Sequence, residues 1–231
     1  MSDVSDDRPF TPEATVGPFY PGAFLTDTPQ DLWTVAPLVA HRPQGQPIVV
    51  AARFLDALKR PVPSLIVEFW QANAHGRYRH PQDRSAAPLD PQFDGFARLR
   101  TGDAGTVRLH TIKPGAHAQR APHLRLTIFA SGIDRLVTQI FFDDEPLNAS
   151  DPVLAAIPDA LVRERLIAAR QPPSLADDVL SYGGPGPNEY AIDIVLRGNG
   201  ETPFFDDWSR SSVESSGEPT VQPVAEDRDW D

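Results

Sequence analysis

The residues of this sequence best suited to chemistry are one tyrosine and three histidines in its middle third. Tyr78 is followed along the chain by His110, His117 and His123. Phenolate and imidazole groups are ligands for Zn, Cu or Fe. Residues two apart on a strand point to the same face, so a His-x-His pair can hold one metal ion from a rigid support. Here the residue two positions after His123 is Arg125.

Arg125 changes the chemistry expected of this segment. A guanidinium cannot ligate a metal, and it stays positively charged. Beside a bound metal cation in a low-dielectric pocket, the repulsion would cost several kcal/mol even at an effective dielectric constant of about 20. We therefore interpret His123 as a hydrogen-bonded pocket residue. For Tyr78 we expect a ring packed in a loop and a hydroxyl that bonds outward.

A different metal site is an alternative. His110, His117 and His123 would give a three-histidine site, with Tyr78 as a fourth ligand. The alternation of the sequence places His110 on the same outward face as Arg108, and His117 follows a Lys-Pro-Gly turn. Local patterns therefore do not favour this alternative.

The elements that must position these residues are strands. Proline occurs 25 times and falls between short apolar runs, a spacing typical of strands punctuated by turns. Apolar and polar residues alternate in several runs, as strands with one buried face do. The predicted strands are residues 48–55, 65–70, 96–99, 106–111, 123–129, 136–142 and 189–196. They predict an all-β fold, an antiparallel β-sandwich with a short helix and long loops.

The remaining segments predict one helix, one long loop and a tail. Asp159 is an N-cap candidate for a helix over residues 159–167. Residues 73–95 have no strand pattern, and such a long loop is usually functional or forms an interface. Residues 208–231 predict a disordered acidic tail. The chain thus divides into an N-terminal arm and lead-in (1–45), a β-sandwich domain (46–207) and the tail (208–231).

Composition limits the classes of function. The net charge is −11, of which the first nine residues contribute −2 and residues 208–231 contribute −4, which leaves −5 for the rest. Nucleic acid is not an expected partner, since it requires a clustered basic surface. Without cysteine there is no disulfide framework and no thiolate metal site. The sequence shows no signal-peptide pattern and no apolar run of about 18 residues, so we expect a cytoplasmic protein without a membrane span.

Several motifs occur together, in the order found in one enzyme family. They are TPEATVGPF at 11–19, VEFWQA at 67–72, HTIKPG at 110–115, APH at 121–123, FFDDE at 141–145 and GETPFFD at 200–206. On these motifs the sequence resembles the intradiol ring-cleavage dioxygenases over about residues 11–207. Within that family it is similar to the alpha subunits of protocatechuate 3,4-dioxygenases.

The resemblance implies a missing metal centre. Catalytic chains of the family hold Fe(III) with two tyrosines and a His-x-His pair, and the second tyrosine follows a Lys-Pro-Gly turn. Here that turn is followed by Ala116 and His117, and the pair is replaced by His123 and Arg125. Only Tyr78 and the first histidine remain, so the resemblance implies no metal site and no catalytic residue in this chain.

The resemblance also implies a partner. An alpha subunit completes the site of a homologous beta subunit, which holds Fe(III) and cleaves protocatechuate with O2 to 3-carboxy-cis,cis-muconate. Thr15, Gly17, Pro18 and Phe19 match the arm that closes this shared pocket, where small residues let the backbone approach the substrate. Ser131 is expected in the pocket wall, at a position where alpha subunits often carry an arginine.

Two other interpretations stay open. One is a self-sufficient metalloenzyme with an altered His/Tyr ligand set, for which the three-histidine cluster is the distinguishing feature. The other is a non-enzymatic binding sandwich domain with no link to oxygen chemistry. Metal analysis of the chain purified alone would separate the first from an alpha subunit, and co-purification with an iron-containing homologue would exclude the second.

Overall fold

The computed structural model describes residues 43–130, 135–172 and 187–205. Within them the chain forms eight strands: β1 (Pro47–Leu55), β2 (Ile66–Gln71), β3 (Phe96–Arg100), β4 (Thr106–Ile112), β5 (Leu124–Phe129), β6 (Arg135–Phe142), β7 (Ile167–Arg170) and β8 (Asn188–Val195). Between β6 and β7 lie a 3-10 helix (Pro146–Ser150) and the short helices α1 (Pro152–Ala155) and α2 (Ala160–Glu164). The all-β prediction is confirmed. No helix in the described part is long and apolar enough to cross a membrane.

The eight strands form one sheet in the order β3-β2-β5-β6-β7-β8-β1-β4. Five of the seven neighbouring pairs are antiparallel, whereas β6 with β7 and β1 with β8 are parallel. The two edge strands, β3 and β4, follow each other in the chain. A tight turn joins them, in which the Gly102 amide donates to the Thr106 carbonyl. The sheet therefore nearly closes around one interior.

Alternation along the strands fills that interior. On β4, Val107 and Leu109 are buried while Arg108 and His110 are partly exposed, as predicted. All eight strands contribute to the main hydrophobic core, so it extends along the whole sheet. Its largest fully buried members include Phe54, Phe69, Leu126, Phe142 and Tyr190.

A second, smaller apolar cluster lies on the other side of β6. Phe142 faces the main core, whereas its neighbour Phe141 faces this cluster, because successive strand residues point to opposite faces. The buried members of the cluster are Ala121, Phe141, Val153, Leu154, Ile157, Leu166 and Phe205. Most of them come from the helical segment after β6, which therefore covers the outer side of that strand.

The helical region differs from its prediction. Asp159 does cap α2, accepting a hydrogen bond from the Leu161 amide, but α2 ends at Glu164. Ile167 instead begins β7, which fills the place between β6 and β8. The predicted N-terminal arm, apart from residues 43–45, and the predicted acidic tail lie outside the described residues.

Candidate functional site

The candidate site forms where β5 begins. His123 directly precedes β5 and Arg125 is its second residue, so both lie on the face opposite the main core. Arg125 pairs across the ladder with Gln139 of β6. The Nδ1 atom of His123 lies 2.7 Å from the Ala121 carbonyl oxygen. Because a carbonyl only accepts, Nδ1 carries the hydrogen and Nε2 is left as an acceptor.

Asn73 shapes the loop that carries Tyr78. Its side-chain oxygen accepts hydrogen bonds from the His75 and Arg77 amides, at 2.9 and 3.0 Å. Its side-chain nitrogen donates to the Pro88 carbonyl, which ties the turn to the far end of the loop. Asn73 is buried, so these bonds take the place of water. The turn directs Tyr78 toward the start of β5.

Gly76 lets this loop approach the segment that follows β4. Its φ is +76°, and a Cβ at this position would lie 1.8 Å from the Ala116 carbonyl oxygen. Only glycine tolerates both conditions. The Gly76 carbonyl in turn accepts a hydrogen bond from His117 Nδ1 at 2.7 Å. The His117 ring then lies edge-on to the Tyr78 ring, with 5.0 Å between centroids.

Asp83 holds Tyr78 from behind. Its carboxylate accepts hydrogen bonds of 2.7 Å from the amides of Tyr78 and Ser85. It also lies 3.8 Å from His117 Nδ1. Burial alone would raise the pKa of Asp83, but the two amide bonds and nearby positive charges lower it below its usual value. A negative charge therefore stands behind the tyrosine at neutral pH.

Arg120 enters the site on the turn before β5. Its Nε donates to Asp151 at 2.9 Å, and its Nη2 donates to Gln139 Oε1 at 2.5 Å. Asp151 is fully buried. It also accepts a hydrogen bond from the Ala121 amide and caps α1. These bonds fix the direction of the Arg120 guanidinium, since each bonded atom has a separate partner.

Eight side chains around the start of β5 enclose a cavity of about 170 Å³. It is lined by Tyr78, His117, Arg120, His123, Arg125, Val137, Gln139 and Phe205. The Tyr78 hydroxyl and His123 Nε2 are 3.5 Å apart, which is long for a hydrogen bond. A larger groove of about 580 Å³, bordered by Lys59, Leu161 and Arg165 among others, is open to solvent and gathers no aromatic or imidazole groups. The smaller cavity is therefore the candidate site.

Two titratable groups in the cavity wall are neutral. Burial, reinforced by the positive charge of Arg120, lowers the pKa of His123 to about 4. Burial raises the pKa of Tyr78 above its ordinary value, although Arg120 and Arg125 act in the opposite direction. At neutral pH the cavity thus presents a neutral phenol and a neutral imidazole beside two guanidinium groups.

Comparisons with known proteins identify the family. The profile of a family described as Dioxygenase matches residues 17–198. The chain is 34% identical over 212 residues to the protocatechuate 3,4-dioxygenase alpha chain of Pseudomonas putida, covering 86% of this chain and 96% of that one. The chain belongs to the intradiol ring-cleavage dioxygenase family.

Other members of the intradiol family match over shorter or more distant alignments. The chain is 42% identical over 170 residues to the protocatechuate 3,4-dioxygenase beta chain of Burkholderia cepacia, covering 70% of this chain and 69% of that one. A dioxygenase domain from Streptomyces sp. SirexAA-E superposes with a TM-score of 0.52 at 23% identity, over 85% of this chain and 97% of that one. The structural match supports the fold alone.

The cavity does not fit the Fe(III) for which intradiol dioxygenases are known. The described residues contain no group of three His, Cys, Asp or Glu side chains placed to hold a metal ion. Tyr78 and His123 do face each other, but Arg125 stands where the second histidine ligand would be. Two guanidinium groups in the wall would repel a cation. The described residues around this cavity therefore do not fit an iron ion.

The structure separates the three histidines of the alternative site. His117 and His123 line the cavity, whereas His110 lies on β4 opposite Val49 of β1. His123 is a hydrogen-bonded pocket residue, as predicted. The prediction for Tyr78 was wrong, because its hydroxyl points into the cavity and not outward. Hydrogen bonds within the loop turn Tyr78 inward, and no local sequence pattern indicates which residues form them.

Five predicted site residues lie outside the part of the chain that the structure describes, and three residues of the described site were not predicted. The residues expected to reach a partner's pocket lie outside the described residues, and they are Thr15, Gly17, Pro18, Phe19 and Ser131. Sequence reasoning missed three residues that shape the cavity, and they are Arg120, Gln139 and Asp151. Arg120 precedes the APH motif directly, so that motif could have indicated it. The other two join the site only through tertiary contacts.

Proposed function

We propose that this chain is the alpha subunit of a protocatechuate 3,4-dioxygenase, a chain that binds no iron and completes the active site of an iron-bearing beta subunit. The working complex cleaves protocatechuate with O2 to 3-carboxy-cis,cis-muconate in the cytoplasm, and Fe(III) held by the partner supplies the oxygen chemistry. The observation that carries the proposal is Arg125, a guanidinium in the cavity of an intradiol dioxygenase at a ligand position. The match over nearly the whole length of an alpha chain supports it.

The contribution of this chain to the shared pocket is assigned to its arm and one loop. Thr15, Gly17, Pro18 and Phe19 lie in the proposed arm (1–45), ahead of the sandwich domain (46–207). Glycine lets the backbone approach a flat aromatic substrate closely, because no Cβ intervenes. Ser131 would border the same pocket.

Reconstitution tests the proposal. The chain is co-expressed with a homologous beta chain, and oxygen uptake is measured with protocatechuate and with catechol. We expect activity only when both chains are present, iron in the complex, and a colourless, inactive chain when it is purified alone. Stoichiometric iron with a visible absorption band in the isolated chain would contradict the proposal.

A matched pair of glycine variants tests the arm. Gly17→Val should lower kcat/KM of the complex by about tenfold or more, because misplaced pocket residues weaken binding and orientation. Gly102→Val is the control, since a Cβ at Gly102 meets no atom within 4 Å. Equal activity of the two variants would show that the arm does not line the pocket.

A second candidate function is a self-sufficient metalloenzyme. It is favoured by the 42% identity to a beta chain and by the approach of Tyr78, His117 and His123 to one cavity. Metal analysis of the isolated chain decides between the two functions. A metal that copurifies in stoichiometric amount and is lost in Tyr78→Phe would support this second function over the first.

A further inference from the structure

His123 brings a buried hydrogen-bond acceptor to the cavity wall. Its Nδ1 donates to the Ala121 carbonyl at 2.7 Å, so Nε2 carries no hydrogen and can only accept. The side chain is 8% exposed and lines the cavity. Within the described part of the chain, the hydrogen-bonding partner of Nε2 is the Tyr78 hydroxyl, at 3.5 Å. This distance is too long for a strong hydrogen bond, so the acceptor is poorly satisfied.

The Tyr78 hydroxyl has the same unused capacity, and its position suits a shared ligand atom. A hydroxyl group both donates and accepts. One ligand oxygen about 2.8 Å from the Tyr78 oxygen and from His123 Nε2 completes a triangle whose third side is the 3.5 Å between them. A ligand hydroxyl at this point donates to Nε2 and accepts from Tyr78.

The two guanidinium groups of the wall are already engaged within the protein. Arg120 donates to Asp151 through Nε and to Gln139 through Nη2. The buried carboxylate of Asp151 offsets the charge of Arg120. Arg125 also takes part in an interaction within the molecule. A ligand therefore needs no negative charge to match this wall, and the group that it must supply is a neutral donor.

The dimensions and the apolar part of the wall limit the rest of the ligand. The volume of about 170 Å³ is close to the ~150 Å³ of an engineered apolar cavity that binds benzene. Val137 and Phe205 give part of the wall an apolar surface, which offers water no hydrogen bonds. A ring of about five or six carbons with one hydroxyl therefore matches both the space and its lining.

We infer that this cavity is a binding site for a small neutral alcohol, whose hydroxyl donates to His123 Nε2 and accepts from the Tyr78 hydroxyl. The apolar body of the alcohol lies against Val137 and Phe205. Burial lowers the pKa of His123 to about 4, so Nε2 remains an acceptor at neutral pH. The inference does not rest on the proposed subunit role, because all of these groups belong to this chain.

Nuclear magnetic resonance of the full, isotope-labelled chain titrated with cyclopentanol at neutral pH tests the inference. We expect saturable binding with a dissociation constant on the order of 1 mM, as for a ligand of very few atoms. The Nε2 resonance of His123, identified by its loss in His123→Gln, should move toward the position of a hydrogen-bonded nitrogen.

A matched ligand and a matched pair of variants sharpen the test. Cyclopentanone has a similar ring but an oxygen that only accepts, so it should bind about fivefold more weakly, because His123 Nε2 stays unpaired. Tyr78→Phe keeps the ring and removes the hydroxyl, and it should weaken cyclopentanol binding by a similar factor. Tyr190→Phe removes a hydroxyl that is bonded to Asp144 outside the cavity, and it should bind cyclopentanol as the wild type does.

Four results would overturn the inference. They are no saturable shift in the wild type, cyclopentanone that binds as tightly as cyclopentanol, equal affinity in Tyr78→Phe and wild type, and shifts confined to residues that do not line the cavity. If Tyr78→Phe does not fold, the His123 resonance of the wild type decides, because an alcohol bound elsewhere leaves Nε2 unchanged.

Discussion

β5 and β6 present different environments on their two faces. Toward the main core they contribute Leu124, Leu126 and Ile140, none of which is accessible to solvent. On the opposite face they contribute Arg125 and Gln139, which line the cavity. Phe205 also lines this cavity, and its amide donates a hydrogen bond to the Val137 carbonyl of β6. The same two strands thus serve an apolar interior on one side and a polar cavity on the other.

The comparison shows that a polar residue in an alternating strand need not face water. Gln139 is 6% exposed, His123 is 8% exposed and Thr127 is 5% exposed. A buried polar group costs free energy unless it is hydrogen-bonded. The apolar face is therefore stabilised by burial and shape, and the polar face by a connected set of hydrogen bonds. The free energy of unfolding of single variants on each face should distinguish these two sources of stability.

The largest loss of stability is expected at Asp151. The change Asp151→Ala removes the acceptor of Arg120 Nε and of the Ala121 amide, and it removes the cap of α1. Breaking a buried ion pair costs about 3–5 kcal/mol, because one charge stays buried without its partner. Urea unfolding measures the loss. The control Asp159→Ala removes an exposed cap and should cost about 1 kcal/mol. Equal losses would mean that Asp151 acts only as a cap.

The next largest loss is expected on the apolar face. Leu126→Ala leaves a cavity in the main core and should lower the free energy of unfolding by about 2–5 kcal/mol. Leu161 is 67% exposed on α2, so Leu161→Ala should stay within about 0.5 kcal/mol of wild type. If Leu126→Ala lowered the free energy of unfolding by less than Leu161→Ala does, the core would not depend on the Leu126 side chain.

Acid should weaken the polar face before the apolar one. The pKa of His123 is lowered to about 4 in the folded protein, against 6.5 without burial, so the unfolded chain takes up the proton first. Stability from this group is complete above pH 6.5 and falls as the pH drops toward about 4, by about 3 kcal/mol in total. Urea unfolding at several pH values should show a flatter profile for His123→Gln. An unchanged slope in His123→Gln would refute the assignment.

The smallest effect is expected from restoring one ligand. Arg125→His recovers the His-x-His spacing with His123, yet it should bind no Fe(III), because the second phenolate is still missing. Adding His117→Tyr completes two tyrosines and two histidines, since Tyr78 already points inward. Iron content and a visible absorption band distinguish the variants. Tight Fe(III) binding by Arg125→His alone would show that Arg125 is the only residue that prevents iron binding at this cavity.

Much of the sheet could be predicted from short apolar or alternating runs. Seven of the eight described strands lie within one or two residues of their predicted limits, because such runs between turn residues are typical of strands. β7 was missed, since its four residues, IAAR, show no such alternation and follow a helical pattern. β7 forms because its residues pair with both β6 and β8 in the sheet. Tertiary pairing decided its conformation.

The cavity was predictable only in part. The positions of His123 and Arg125 follow from the strand period, which is a local property. The inward direction of Tyr78 depends on Asn73, whose amide reaches the Pro88 carbonyl 15 residues away. The anchor of Arg120 on Asp151 spans 31 residues. Contacts between residues this far apart in the chain produce no periodic pattern in the sequence.

The parallel pairing of β1 with β8 has a consequence for the order of folding. Arg53 and Asp193 are opposite each other in this ladder and 140 residues apart in the chain. At a synthesis rate of about 5–20 residues per second, β1 would wait roughly 7 to 28 s for this neighbour. During that time one edge of β1 has no partner strand, and unpaired edges promote aggregation. The last described strand to leave the ribosome is thus the one that completes the sheet, so folding of this chain should be mainly post-translational and slow for its size.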